Sequence, residues 1–234
     1  MNNKFLNQIN KYWINLNKEK LHMCPNISLF RIFSQHNIKL SRQNVLDIGF
    51  GEGQNLLECR NRGAKVFGIE LRKKKIDDLH KKHKISKKNL FKCDLNENFP
   101  HINKKFKVIF SLDTINYITF ENQIKLFDNV YNHLSNEGFF LFQYPQVQLK
   151  QIKKKNFLDF WIDKNKYQVR KKFYPTVNPV VFLPNKQINN LIKFNKKKFK
   201  LLSSTFDIGT FSKTDSSSIT INRFLLLKKL NLKK

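Results

Sequence analysis

The feature of this sequence that most constrains its fold is a short apolar run that leads directly into closely spaced glycines. Residues 44–48 (NVLDI) are typical of a short buried strand, and residues 49–53 (GFGEG) follow without a break. Residues 55–62 then carry a helical pattern, which Gly63 is expected to end. A strand that passes through glycines into a helix presents its main chain to a ligand without interference from Cβ atoms. The segment therefore predicts a strand–turn–helix unit with a ligand site at the turn.

Strand and helix patterns continue to alternate after this unit. Further strands are predicted at residues 65–70, 89–93, 107–112 and 139–144, with helices at residues 72–84 and 124–134. A turn at residues 135–138 is expected to separate the second of these helices from the strand after it. After a helix at residues 185–194, two last strands are predicted at residues 199–206 and 218–227. Five β-α units in series predict an α/β fold with a doubly wound, mostly parallel sheet, which the last two strands extend to seven strands.

The remaining segments are interpreted as additions to this sheet. The first 20 residues read as an amphipathic helix, and a second helix after Asn26 is expected to bury Ile27, Phe30 and Phe33. The sequence contains no internal repeat and no Gly/Ser-rich linker, so we expect one domain over residues 1–234. Its parts are an N-terminal helical cap (1–43), a core (44–145), a lid-like insertion (146–184), and the last helix with the final two strands (185–234).

Four acidic residues fall at the carboxyl ends of four predicted strands. Asp47 lies inside the first strand, Glu70 closes the second, Asp94 closes the third, and Asp113 follows the fourth. Because the carboxyl ends of neighbouring parallel strands meet in one crevice, where open α/β sheets bind ligands, we expect these side chains to lie together. The chain has only 17 acidic residues against 45 basic ones, so this placement favours a ligand site.

The glycine spacing and Asp47 argue against a dinucleotide site. The spacing is G-x-G-x-G, whereas dinucleotide-binding dehydrogenases carry G-x-G-x-x-G. A dehydrogenase also receives a pyrophosphate at the helix N-terminus, and a carboxylate aimed at that point would repel it. A ligand with a cationic amino-acid end would instead be attracted. A carboxylate at Glu70 is suited to accept hydrogen bonds from the two hydroxyls of a ribose.

Taken together, these segments resemble the class I S-adenosylmethionine-dependent methyltransferases. The resemblance runs from Asn44 to Gln146 and, in the order of elements, through the last strand. It is carried by the segments VLDIGFGEG, VFGIE, FKCDL, FKVIFSLDTINYI and LSNEGFFLFQYP. It implies a Rossmann-like fold, S-adenosylmethionine as cofactor, and methyl transfer by in-line displacement.

The same resemblance implies which residues bind the cofactor. The glycine loop would wrap the methionine portion, Asp47 would orient that loop and the methionine amino group, Glu70 would hold the ribose, and Asp94 with Leu95 would flank the adenine. Phe50 stands where the family often has Cys. The full set of expected cofactor-binding residues is Asp47, Gly49, Phe50, Gly51, Gly53, Glu70, Leu71, Asp94, Leu95 and Leu112.

The substrate side is expected just after the fourth strand. The family places groups that face the substrate there, which in this chain are Asp113, Thr114, Asn116 and Tyr117. We assign Asp113 and Tyr117 to catalysis. Many relatives have His where Tyr117 stands, and a phenol is a poor base at neutral pH, so the alternative is that Tyr117 only packs. The aromatic and basic residues between 156 and 183 favour a lid over the substrate, with additional core packing as the alternative.

We consider three alternative functions. The first is transfer to an oxygen or nitrogen atom of a small molecule or glycan precursor. The second is RNA methylation, which aromatic residues interleaved with basic ones would serve; the chain, however, has Leu112-Asp113-Thr114-Ile115 where base-amine methylases carry an N-P-P-Y-type segment. The third, a scaffold on a degenerate methyltransferase fold, predicts a damaged glycine loop or a lost Glu70, and both are intact.

The net charge of +28 is weak support for a nucleic-acid partner. Only 7 of the 45 basic residues are Arg, the base that makes bidentate contacts with phosphate. Lys, Asn, Ile and Phe have A/T-rich codons, and the chain holds a single alanine, so an AT-rich genome is the simplest explanation of the charge.

The cysteines and the hydropathy pattern indicate a cytoplasmic protein. The three cysteines form no CxxC pair, which argues against a disulfide framework and a zinc site. His80 and His83 lie among lysines, so no metal site is expected there. No apolar run approaches the ~20 residues that span a bilayer, and no signal peptide is expected at the N-terminus.

Overall fold

The computed structural model describes residues 24–146, 160–162, 168–170, 181–182, 185–210 and 219–231. Its helices are α1 (Ile27–Gln35), α2 (Gln54–Asn61), α3 (Lys73–His83), α4 (Phe120–His133) and α5 (Asn185–Phe194). Its strands are β1 (Asn44–Ile48), β2 (Lys65–Glu70), β3 (Leu90–Lys92), β4 (Phe106–Ser111), β5 (Leu134–Gln146), β6 (Phe160–Ile162), β7 (Gln168–Arg170), β8 (Val181–Phe182), β9 (Phe199–Thr210) and β10 (Ile219–Lys229). Single 3-10 turns occur at Lys87–Asn89 and Ile115–Tyr117.

Seven of these strands form one sheet in the order β3-β2-β1-β4-β5-β10-β9. The pairs from β3 to β5 are all parallel, and β10 runs antiparallel to both β5 and β9. The predicted doubly wound, mostly parallel seven-stranded sheet is therefore confirmed. The strand order reverses at β1, which has β2 on one side and β4 on the other. Crevices at such switch points are where α/β sheets bind ligands.

Helices cover both faces of the sheet, which explains why its central strands are apolar on both sides. On one face, side chains of α1, α2 and α3 pack against alternate residues of the sheet such as Val45 and Phe110. On the other face, α4 and α5 pack against the intervening residues, among them Leu46 and Phe140. The sheet is thus buried between two helical layers, and its strand ends remain available for a site.

Helix α1 begins as predicted but buries a different face. The Asn26 side chain accepts a hydrogen bond from the Leu29 N–H at 2.9 Å, which confirms the expected N-cap. The expectation that Ile27 faces inward is wrong, because Ile27 is 81% exposed. The buried residues are Ser28, Leu29, Phe30, Ile32 and Phe33. At 3.6 residues per turn, Ile27 lies roughly 165° around the helix from the centre of that face.

The connection between α4 and β5 also differs from the prediction. A turn was expected at residues 135–138, but β5 begins at Leu134, directly after the helix. The extra residues are absorbed where the pairing of β4 with β5 shifts between Phe106 and Val108. Within this stretch Glu137 takes a left-handed conformation with φ +54°. The residues therefore form an irregular strand start, with no separate loop.

Most of the predicted lid and of the N-terminal cap lies outside the described residues, as does nearly all of the loop between β9 and β10. The described parts of residues 146–184 include β6, β7 and β8, which form a separate three-stranded antiparallel sheet. The main chain of β8 lies beside β5 and beside the turn Ile115–Tyr117. The single-domain organisation and the lid remain predictions.

Within the described ranges, none of the helices is long and apolar enough to cross a membrane.

The aromatic core on the α4 side yields a prediction about stability. The buried Phe127 ring meets Phe140, Phe142 and Phe199 edge-on, with centroids 5.4, 5.5 and 6.1 Å away. We expect Phe127→Ala to lower the free energy of unfolding by about 3–5 kcal/mol, because transfer and cavity costs add. Phe194→Ala, at a ring that is 70% exposed, is the control and should change it by no more than about 0.5 kcal/mol. Denaturant titration measures both, and equal losses would contradict the assignment of Phe127 to the core.

Candidate functional site

A cavity of about 250 Å³ opens at the carboxyl ends of the central strands. Its wall contains every residue to which the sequence assigned a cofactor-binding or catalytic role: Asp47, Gly49, Phe50, Gly51, Gly53, Glu70, Leu71, Asp94, Leu95, Leu112, Asp113 and Tyr117. Thr114 also lines the cavity, whereas Asn116 is buried and is not among the described residues of the wall. The structure thus brings the predicted residues together, and their individual roles remain predictions.

The glycine loop approaches its neighbours more closely than any other residue type would allow. Gly49 has φ +79° and Gly53 has φ +80°, a region that L side chains rarely adopt. A Cβ at Gly49 would lie 2.0 Å from the Thr114 hydroxyl, and one at Gly53 would lie 2.6 Å from a methyl group of Leu79. The loop is therefore wedged between the segment after β4 and helix α3, with its main chain facing the cavity.

Phe50 is accommodated by a glycine on the neighbouring strand. Its ring is buried in the core of the α1–α3 face and also forms part of the cavity wall. A Cβ at Gly68 of β2 would lie 2.5 Å from a ring carbon of Phe50. Because Gly68 leaves that space free, the large side chain fits within the loop without displacing the glycines beside it.

Asp47 is a buried carboxylate at the floor of the cavity. The residue is 2% exposed, and its Oδ2 atom has no hydrogen-bond partner among the described residues. Burial, and secondly the nearby Glu70 carboxylate, raise the pKa of Asp47 well above its usual range. A buried acceptor in a cavity wall without a donor is suited to a ligand that supplies one.

Glu70 is engaged from two sides. Its Oε2 accepts a hydrogen bond from the Gly51 N–H at 2.9 Å. Its Oε1 accepts two, from the main-chain N–H and the Nε–H of Arg72, each at 3.0 Å. The carboxylate therefore joins the glycine loop to the residue that precedes α3. The sequence reasoning placed Glu70 correctly at the strand end but missed Arg72, which lines the same cavity.

Asn96 connects two loops of the cavity wall through hydrogen bonds. Asp94 accepts a hydrogen bond from the Asn96 N–H at 2.9 Å, which shapes the loop after β3. The Asn96 side chain then donates to the Tyr117 carbonyl at 3.1 Å and accepts from the Thr119 N–H at 2.9 Å. This cross-link holds the loop that carries Asp94 and Leu95 against the turn that carries Tyr117. Nothing in the local pattern around Asn96 signalled this role.

Buried glutamines hold the segment after β4. Asp113 has φ +51°, and its N–H donates to Oε1 of Gln143 at 2.8 Å. The Gln143 side chain in return donates to Oδ1 of Asp113 at 2.8 Å. Gln123 of α4 donates to the carbonyls of Ile115 and Ile118, at 2.9 and 3.0 Å. A glutamine within the apolar run FFLFQYP was the available sequence signal for Gln143.

The two predicted catalytic residues, Asp113 and Tyr117, lie in different environments. Asp113 is exposed at the cavity and positioned by Gln143. Tyr117 is half-buried, packs against the core on the α4 side and still lines the cavity. Tyr117 therefore packs against the core, and its contact with a ligand stays a prediction.

The wall of the cavity is acidic although the protein is strongly basic. Of the described residues that line it, five are acidic (Asp47, Glu52, Glu70, Asp94, Asp113) and one, Arg72, is basic. Lys75 forms an ion pair with Glu52, and Arg72 pairs with Glu70. The excess of acidic over basic residues in this wall favours a ligand that carries positive charge. In the described ranges, no group of three His, Cys, Asp or Glu side chains is placed to hold a metal ion.

Comparison with known families and structures agrees with this geometry. The methyltransferase domain family matches residues 18–177. A search among curated proteins finds no match. Among solved structures, the magnesium protoporphyrin IX methyltransferase of Synechocystis with bound SAH is similar at a TM-score of 0.59 and 14% identity, over 87% of this chain and 81% of that one.

Two other solved structures are similar over nearly their full length. An S-adenosylmethionine-dependent methyltransferase of Clostridium acetobutylicum has 19% identity and a TM-score of 0.58, over 97% of this chain and 98% of that one. The glycopeptide N-methyltransferase MtfA has 12% identity and a TM-score of 0.58, over 89% and 96%. At these identities the likeness establishes the fold.

The burial of Asp47 predicts a pH dependence of stability. The pKa of Asp47 is higher in the folded protein than its ordinary value of 3.8, so folding takes up a proton at pH values above 3.8. The free energy of unfolding therefore decreases as the pH rises above that value. We expect Asp47→Asn to stabilise the ligand-free protein at pH 8 and to lose this advantage near pH 4. Denaturant titrations between these pH values measure it.

Asp77→Asn is the matched control for this experiment. A hydrogen bond from Lys73 lowers the pKa of the exposed Asp77, so its stabilising contribution is present at neutral pH and is lost as the pH falls through the lowered pKa. The two variants should therefore differ in the sign of their effect. An Asp47→Asn variant that is less stable than the wild type at pH 8 would contradict the assignment.

Proposed function

The chain belongs to the methyltransferase domain family, within the class I S-adenosylmethionine-dependent methyltransferases, and from this premise we propose that it methylates an oxygen or nitrogen atom of a small molecule or glycan precursor. The observation that carries the proposal is the acidic cavity at the switch point of a basic protein. S-adenosylmethionine brings a sulfonium and an ammonium group, and both are attracted to such a wall.

The residues present fit the cofactor. We assign the ammonium group to Asp47, whose buried Oδ2 atom needs a donor. The methionine portion follows the main chain of the loop 49–53, where a side chain at Gly49 would collide with Thr114. Glu70 takes the ribose, and Asp94 with Leu95 takes the adenine. Phe50, Leu71 and Leu112 supply apolar wall around these groups.

The chemistry then requires alignment more than activation. When bound, S-adenosylmethionine supplies a methyl group on a sulfonium, which already has a good leaving group. The protein must hold the acceptor in line and exclude water, and such orientation is worth on the order of 7–11 kcal/mol. We propose that Asp113 holds the acceptor and receives its proton when the acceptor is a hydroxyl; an amine needs only to be neutral. Gln143 fixes the carboxylate for this task, and Tyr117 lines the acceptor side.

The position of the small sheet supports a single domain with a lid. The main chain of β8 lies beside the turn Ile115–Tyr117, which is on the acceptor side of the cavity. The described strand β8 thus has the position that we propose for a lid, next to the region where a substrate would enter. Two of the three similar proteins named above are a magnesium protoporphyrin IX methyltransferase and a glycopeptide N-methyltransferase, which supports an acceptor that is a small molecule or carries sugar. All three cysteines are free thiols, in keeping with our proposal of a cytoplasmic location.

RNA methylation is the second candidate, and the exposed lysines of α3 favour it. Side chains such as Lys73 and Lys82 extend into solvent on the helix that contacts the glycine loop. Lysine-rich surfaces bind any polyanion through counterion release, so charge alone does not distinguish the two functions. The identity of the methyl acceptor distinguishes them.

Cofactor binding provides the first test of the proposal. We expect Glu70→Ala to weaken binding of S-adenosylhomocysteine by roughly 1.5–3 kcal/mol, the range for hydrogen bonds to a charged group. Titration calorimetry measures this. Glu58→Ala, which removes only the surface partner of Arg62, is the control and should bind like the wild type. Wild-type protein that gives neither heat nor a thermal shift with millimolar ligand would end the methyltransferase proposal.

The acceptor class provides the second test. We expect labelled methyl groups to pass to a component of a low-molecular-weight cell extract at near-physiological salt, and not to total cellular RNA. Non-specific RNA binding should fall steeply between about 50 and 200 mM salt, because it depends on counterion release. A genuine RNA substrate keeps stacking or base-edge contacts worth ~1–3 kcal/mol each. Labelling of one RNA species that resists salt would therefore replace the first candidate by the second.

A further inference from the structure

Arg72 occupies an unusual place in the cavity wall. It follows Glu70 by two residues, precedes the first turn of α3, and is only 8% exposed. It is the basic residue of a described wall that otherwise carries five acids. A buried guanidinium needs partners, because its desolvation is costly without them. The Glu70 carboxylate is one such partner.

The hydrogen bonds of Glu70 leave too little acceptor capacity for a ribose diol. A carboxylate has about four lone-pair sites. Three are used here, by the Gly51 N–H, the Arg72 N–H and the Arg72 Nε–H. The two vicinal hydroxyls of a ribose, if both donated, would need two sites. Glu70 can thus receive one hydroxyl without giving up any bond that shapes the wall.

The Arg72 guanidinium supplies hydrogen-bond donors for the ribose hydroxyl that Glu70 does not bind. It has five N–H donors in a rigid fork, of which the Nε–H is directed to Glu70. Its Nη2 atom extends toward the glycine loop, 3.8 Å from the point where a Cβ of Gly51 would be. A hydroxyl that donates to one neighbour can also accept from another. An acceptor and a donor side by side are therefore complementary to a vicinal diol.

We propose that Arg72 is a further cofactor-binding residue, which donates a hydrogen bond to one ribose hydroxyl while Glu70 accepts from the other. The inference rests on the proposed function, in which Glu70 takes the ribose. It also accounts for arginine at this position in a chain where lysine supplies most of the charge. A lysine would provide the charge without the fork that reaches Glu70 and the ribose together.

The experiment compares S-adenosylhomocysteine with its 2′-deoxy and 3′-deoxy analogues by calorimetry. We expect the wild type to bind each analogue about tenfold more weakly, since each loses one hydrogen bond to a charged group. Arg72→Met should weaken S-adenosylhomocysteine about ten- to thirtyfold. In the Arg72→Met variant, the affinity for one of the two deoxy analogues should differ from that for S-adenosylhomocysteine by about threefold or less. In the Glu70→Gln variant, the same should hold for the other analogue. Arg72→Lys should fall between Arg72→Met and the wild type.

Further measurements separate this role from a structural one. Thermal unfolding without ligand establishes that each variant is folded, and Arg72→Lys serves if Arg72→Met is not. Arg62→Met removes an arginine that pairs with Glu58 in the same way on the surface, and it should bind like the wild type. Equal discrimination by Arg72→Met and the wild type against both analogues, or unchanged affinity for S-adenosylhomocysteine, would overturn this inference alone. A wild type that does not bind S-adenosylhomocysteine would instead overturn the proposed function.

Discussion

The carboxylate of Glu70 is the interaction on which the organisation of the cavity depends. It lies at the end of β2 and ties the Gly51 main chain on one side to Arg72 and the start of α3 on the other. The glycine loop is held from the opposite direction by Thr114, which fills the space that a Cβ at Gly49 would need. Three chain segments, far apart in sequence, are thereby fixed around one opening. A site that is arranged before its ligand arrives loses less free energy on binding.

The electrostatics of the cavity are opposite to those of the protein as a whole. A net charge of +28 surrounds a wall whose charged residues are mostly acidic. At the floor, Asp47 is buried without a donor for one oxygen, a state that is costly until a ligand supplies that donor. The cost is part of the stability that the fold gives up at a functional position. Ligand binding is the event that restores it, which explains why an acid stands inside an otherwise apolar strand.

Much of this arrangement could be predicted from the sequence, and the differences have local causes. The bounds of β1, β2 and α5 agree with the predicted ones, because apolar periodicity and glycine positions define them. Ile27 was assigned to the wrong face because a short helix offers few turns from which to judge its direction. The start of β5 was taken for a turn because its residues are polar and include Gly138. Pairing of Leu134 and Phe139 with β4, on either side of these residues, keeps them within the strand.

By itself, then, the sequence determined the order of strands and helices, the glycine loop and the acidic residues at the strand ends. These depend on residues close together in the chain, and parallel topology brings strand ends to one edge. Only the tertiary structure decided which side chains meet across that edge. The bond from Gln143 to Asp113 joins residues 30 positions apart, and the bond from Gly51 to Glu70 joins residues 19 apart. Such partners depend on strand register and on rotamers within a packed interior, to which no local pattern in the chain corresponds.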